Sequence, residues 1–138
     1  AVGVHPYNWG GPIDISGVAN IRQITVNRGD AEKSVWLTEY GWNLNPDGGH
    51  QPYATQAQQA QYLLASLQYL YDSYDYFYVT QASHHTICDW TTAANEDWMG
   101  LCDYSLNPRP AYDTFRDCAA PRTPRLESRA PVITSLGP

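Results

Sequence analysis

The chain has 138 residues and a formal net charge of −6, with 43% hydrophobic and 16% charged residues. That is enough for one domain with a real core and too little for two ordinary ones. Lys33 is the only lysine, so the basic footprint that a nucleic-acid binder needs is missing, and no run approaches the length of a membrane span. Five Trp and eleven Tyr supply core, and also flat platforms on which sugar rings can stack.

In chain order, Val2 to His5 is a short β-branched run ended by Pro6. Residues 1–138 contain no charged-then-apolar leader, and the opening Ala1-Val2-Gly3-Val4 is read as a processing site or as the first residues of a piece. Asp14 or Ser16 can cap a helix with Val18, Ile21 and Ile24 on its apolar side, and Gly29 stops it. Ser34 to Thr38 predicts a second, nearly all-apolar strand. Thr55 with Gln58 forms a capping-box signal. The helix that follows carries Ala60, Leu63, Leu64, Leu67, Leu70 and Tyr71 at helical period. Tyr76 to Ala82 predicts a third strand, and Pro110 suits the first turn of a last helix running to about Asp117. Residues 119–138 change character. The first part, rich in Pro, Arg and Ser, predicts a linker, with Arg116, Arg122, Arg125 and Arg129 solvated. Pro131 to Pro138 is either a tail or the first strand of a further β domain.

Alternating strands and helices imply parallel strands with right-handed crossovers. The connections add a polarity. Those from helix to strand are short (Gly29 to Lys33, Asp72 to Asp75), whereas those from strand to helix are long: Trp42 to His50, and Ser83 to Arg109. The elaborate loops therefore gather at the C-terminal ends of the strands, the working face of α/β barrels and open α/β sheets alike.

Glu39 is the sharpest chemical feature. It follows an apolar strand and precedes Tyr40-Gly41-Trp42, where a charge is costly unless it is used or paired. Such a carboxylate can attack an anomeric carbon in retaining glycoside hydrolysis; alternatively, it is a structural Glu paired with Arg22, Arg28 or a tyrosine. His5 and Tyr7 end the first strand in the same way, and a tyrosine hydroxyl beside a carboxylate can donate a hydrogen bond that favours its ionised form. His84 and His85 follow the third strand, but adjacent residues there point apart and no further ligand has suitable spacing, so no metal and no cofactor is expected. Trp42, Trp90 and Trp98 can form sugar platforms or pack their loops, with Trp90 favoured over Trp98 for its closeness to the strand. Of the three cysteines, Cys88 and Cys102 can form a disulfide suited to an extracellular protein, leaving Cys118 over.

Together these segments resemble the last three βα units of a clan A retaining glycoside hydrolase. Leu37-Thr38-Glu39-Tyr40-Gly41-Trp42 resembles the seventh-strand motif whose Glu is the nucleophile. Val2-Gly3-Val4-His5-Pro6-Tyr7 resembles the sixth strand, which supplies a His and a Tyr beside it. Met99-Gly100-Leu101-Cys102-Asp103 and Asn107-Pro108-Arg109-Pro110-Ala111-Tyr112 resemble the segment after strand eight. The resemblance spans residues 1–118 and implies an α/β fold, a partial TIM (β/α)8 barrel of about three C-terminal units. It also implies a carbohydrate substrate, Glu39 as nucleophile, and His5, Tyr7, Trp42, His84 and Trp90 as substrate-binding residues.

The acid/base Glu of that clan stands on a strand this chain does not contain, and retaining chemistry needs two carboxyl groups about 5–5.5 Å apart. Glu32, Glu96 and Glu127 are not convincing substitutes. Three units cannot close an eight-stranded barrel either. The expectation is therefore a secreted glycosidase whose remaining strands come from the same or another chain, inert in this piece alone. The alternative is a non-catalytic carbohydrate-binding or structural extracellular protein. A small doubly wound domain ranks last, because His5-Pro6-Tyr7-Asn8-Trp9-Gly10-Gly11-Pro12 is not a phosphate loop.

Overall fold

The computed structural model describes residues 1–120; the expected linker beyond Ala120 and the possible strand at Pro131 to Pro138 lie outside the described residues. Strands β1 (Val2–Val4), β2 (Val35–Tyr40) and β3 (Val79–His84) form one sheet in the order β1-β2-β3. Both pairs are parallel, with Val35 opposite Val2 on one side and Val79 on the other. Helix α1 (Ile15–Asn27) links β1 to β2. Helix α2 (Gln56–Asp72) and the short α3 (Tyr74–Phe77) link β2 to β3, and α4 (Pro110–Ala119) follows. Spatial order equals chain order and each link crosses through helix, as in consecutive units of a (β/α) barrel; the chain is an α/β structure consistent with a partial one.

Local chemistry places these elements. The Asp14 carboxylate accepts from the Ser16 hydroxyl at 2.6 Å and from Ser16 N at 3.0 Å and caps α1; the hydroxyl's hydrogen bond above all holds its pKa below the usual carboxylate range. Beyond the other end, Gly29 takes a φ of 81°, a left-handed conformation that costs glycine little. At α2 the capping box closes both ways: Gln58 N donates to Thr55 Oγ1 at 3.2 Å, and Thr55 N donates to Gln58 Oε1 at 2.9 Å. Pro110 opens α4, where its missing N–H costs nothing.

Strand β2 alternates. Val35 and Leu37 are fully buried in a core shared with Val18, Leu63 and Leu70, while Trp36 and Thr38 are exposed on the opposite face. The Trp36 indole donates to Thr80 Oγ1 at 3.0 Å, spanning β2 and β3 on that open face.

Three expectations need correction. The third strand begins at Val79, not Tyr76, because Tyr74–Phe77 form a helical turn that Tyr78 ends in a left-handed conformation at φ 52°. Phe77 is thereby buried, its ring 5.8 Å from that of Tyr69. On α1, Ile24 is exposed and Arg22 is buried in its place. The Arg22 guanidinium donates to Ala31 O at 2.9 Å and Lys33 O at 3.1 Å, so it serves the chain entering β2 and is not a partner for Glu39. Finally, Cys88, Cys102 and Cys118 are free thiols. The expected Cys88–Cys102 disulfide is not formed; the two backbones instead meet in an isolated parallel bridge, with Cys102 N donating to Ile87 O at 2.8 Å.

Candidate active site

Glu39 is the penultimate residue of β2, at the C-terminal end of the sheet where the long loops gather. Pairing with β3 is irregular between Leu37 and Tyr40. Leu37 and Tyr40 are buried in the core, while the Glu39 side chain keeps 30% exposure. Three side chains converge on its carboxylate. His5 Nδ1 lies 3.1 Å from Oε2, His85 Nδ1 lies against Oε1, and the Tyr7 hydroxyl hydrogen-bonds the same group. Burial, then the Glu39 charge and that hydrogen bond, push the Tyr7 phenol far above its ordinary pKa, so Tyr7 is a permanent donor at neutral pH.

A cleft of about 330 Å³ opens beside Glu39. One wall is an aromatic stack: Trp9 lies 4.7 Å from Tyr7 at 21° between planes and 4.4 Å from His50 at 32°. Trp90 also lines the cleft, 61% exposed, with its ring edge-on to His85 at 5.4 Å. Glu96, Asp97 and Met99 complete much of the lining. His50 Nδ1 lies against Asp97 Oδ2, tying the wall to the following loop.

Two buried asparagines lace those loops together. Asn43 Nδ2 donates to Asn45 O at 2.8 Å and His50 O at 2.9 Å, while its Oδ1 accepts from Trp98 N at 3.1 Å. Asn45 Nδ2 donates to Ala94 O and Glu96 O at 2.8 and 2.7 Å. Buried amides satisfied in this way hold irregular backbone that no regular ladder supports. Deeper still, Asp89 pairs with Arg109, accepts from Gly100 N at 2.8 Å, and anchors the segment that carries Trp90.

Of the residues singled out in the sequence, Glu39, Tyr7 and Trp90 line the cleft, and His5 reaches Glu39 from a half-exposed position. Trp42 and His84 do not line it. Trp42 is 1% exposed and donates its indole N–H to Gly11 O at 2.7 Å, so it packs the base of the site and offers no platform. The His84 ring turns to the buried side, edge-on to Tyr40 at 5.5 Å, with Nδ1 3.0 Å from Thr86 O. Its neighbour His85 faces Glu39 instead, because successive side chains alternate across a strand. Trp9, His50, Glu96 and Asp97 were not singled out as site residues. Their only signal is position in the connections beyond the C-terminal ends of the strands.

Burial lowers the His84 pKa to about 4. A folded-state pKa below the unfolded value means that the unfolded chain binds the extra proton between about pH 6.5 and 4. The His84 contribution to stability is therefore complete above pH 6.5 and lost as pH falls through that window. Denaturant titrations at pH 7 and 4.5 should show a fall in stability that His84→Gln reduces.

No protein-family profile matches the sequence, and no curated protein sequence matches it. Solved structures do match. A family 39 glycoside hydrolase from the gut symbiont Bacteroides cellulosilyticus WH2 aligns over 85% of this chain and 26% of its own, at 21% identity and a TM-score of 0.59. A thermostable mutant of a xylanase from Cellvibrio japonicus aligns over 85% and 39%, at 22% identity and 0.51. A β-glucuronidase from Ruminococcus gnavus aligns over 83% and 21%, at 19% identity and 0.53. The likeness is one of fold. The chain spans well under half the length of these structures. Among the described residues no helix is long and apolar enough to cross a membrane, and no group of three or more His, Cys, Asp or Glu is placed to hold a metal ion.

Proposed function

We propose that the chain carries the nucleophile side of a retaining glycosidase acting outside the cell on a poly- or oligosaccharide, and that its three βα units are the C-terminal part of an eight-stranded barrel. The observation that carries this reading is the convergence of His5, Tyr7 and His85 on the single carboxylate of Glu39, at the C-terminal end of a parallel strand and beside an aromatic cleft.

Glu39 attacks the anomeric carbon, and the bond to the leaving oxygen breaks as that oxygen takes a proton from a second carboxyl group. The product is a glycosyl ester on Glu39. Water, deprotonated by the same second group, then displaces Glu39 with a second inversion, so configuration is retained. Tyr7, His5 and His85 fix the carboxylate in its attacking orientation, and Trp90 offers a ring face to the sugar. The second carboxyl group comes from barrel strands outside this chain. Two features support their addition: among the described strands β1 and β3 are each paired on one side only, and the face of β2 opposite Val35 and Leu37 leaves Trp36 exposed.

The stereochemical course tests the reading. Proton NMR of the first-formed sugar released by the full-length chain should show retention; inversion would remove Glu39 from the nucleophile role. A companion result concerns the two histidines. His85→Ala is expected to lower kcat/KM by about 10–10²-fold and to alter the pH-rate profile, while His84→Ala alters stability and leaves that profile in place. A purely glycan-binding protein, the other reading the exposed Trp90 allows, would bind without hydrolysis in the same assays.

A further inference from the structure

The matched solved structures include both xylanases and β-glucuronidases, and a shared fold does not choose between an uncharged and a uronic-acid sugar. The charges that this chain contributes to the cleft bear on that choice. Glu39 is needed whatever the sugar, so it discriminates nothing. Beyond it the lining carries Asp89, Glu96 and Asp97, and among the described residues no lysine or arginine lines the cleft.

The basic groups on this part of the fold are remote or committed elsewhere. Arg109 is buried with its guanidinium shared between Asp89, Gly100 O at 2.7 Å and Cys102 O at 3.0 Å. Lys33 pairs with Asp30 at 2.9 Å and Glu32 at 3.1 Å in the turn that enters β2, at the opposite end of the strand from Glu39. His50 is matched to Asp97, and His5 and His85 to Glu39. Glu96 has an exposed side chain and, unlike Asp89 and Asp97, no ion-pair partner among the described residues. A uronate entering here meets a like charge in a partly desolvated cleft, without the cation or donor cluster that carboxylate recognition uses.

Resting on the glycosidase reading, we infer that the cleft selects uncharged glycans and rejects uronic acids, with Glu96 as the specificity-determining residue. Neutral hydroxyls can use the carboxylates as hydrogen-bond acceptors, and an uncharged ring can lie on Trp90 at no electrostatic cost. Glu96 does not touch the reacting atoms; it acts on which sugar enters.

The test uses the full-length chain carrying Glu39→Gln, so that no probe is turned over. Titration calorimetry compares xylotetraose, cellotetraose and mannotetraose with tetragalacturonate and a glucuronic-acid tetrasaccharide at low salt. The tightest neutral probe is expected to bind at least ten-fold more tightly than the tightest uronate. Adding Glu96→Lys should raise the ratio of uronate to neutral affinity at least ten-fold. Glu96 is exposed, so the exchange does not threaten the fold. A uronate bound as tightly as the neutral probes would overturn the inference while leaving the glycosidase reading intact, because a cation would then be reaching the cleft from the rest of the barrel. An unchanged ratio in the Glu96→Lys protein would also overturn the role given to Glu96. Failure of every glycan to bind would sink both the inference and the glycosidase reading beneath it.

Discussion

On the proposed glycosidase reading, Glu39→Ala in the full-length protein is expected to lower kcat/KM by about 10⁴-fold or more, the scale on which removal of a covalent nucleophile acts. The loss should fall on the chemistry and not on the fold. The Glu39 side chain is 30% exposed and its neighbours His5, Tyr7 and His85 keep other contacts, so thermal stability should move little. A small external anion such as azide can enter the space the carboxylate vacates and attack the anomeric carbon from the same face. Partial rescue, with a glycosyl azide of inverted configuration as product, is therefore expected. A structural Glu39 would give a different pattern: a lowered melting temperature, modest loss of rate and no glycosyl azide.

The second large effect is on stability. Asp89 and Arg109 are both buried and joined through two contacts, one of them Nη1 to Oδ1 at 3.2 Å. Arg109→Met leaves the Asp89 carboxylate buried without its cation and frees the carbonyls of Gly100 and Cys102 that the guanidinium holds. Removing one member of such a pair costs about 3–5 kcal/mol, because the remaining charge keeps its desolvation penalty. Urea denaturation should show a loss of that order. Asp89→Asn/Arg109→Met should recover part of it, since Asn can still accept from Gly100 N and carries no charge. The pair anchors the loop from His85 to Arg109, so the single variant should also weaken ligand binding at Trp90.

Much of this architecture was legible in the chain because its signals are local. The Thr55–Gln58 capping box, Pro110 at the head of α4 and the apolar run into Glu39 each declare themselves within a few residues. The parallel order follows from alternation, and the position of the cleft at the C-terminal ends of the strands from the inequality of the loops. The misplacements have tertiary causes. Tyr76, Phe77 and Tyr78 have the composition of a strand, but burial of Phe77 against Tyr69 and the left-handed Tyr78 give them a helical turn. Adjacent His84 and His85 are equivalent in sequence; only the register at the end of β3 sends one to the core and the other to Glu39. Trp42 has the makings of a platform, yet Gly11 O, thirty-one residues earlier, claims its indole. His50, Asp97 and Trp9 meet through loops with no periodicity to read.

The most direct measurement is covalent capture. A mechanism-based 2-fluoroglycoside of a neutral sugar, incubated with the full-length chain, should slow its own hydrolysis and accumulate as a glycosyl ester. Peptide mapping by mass spectrometry should then find one added sugar on Glu39, within the peptide containing Leu37-Thr38-Glu39-Tyr40. A label on any other carboxylate, or turnover of ordinary substrates with no capture at Glu39, would contradict its assignment as the nucleophile.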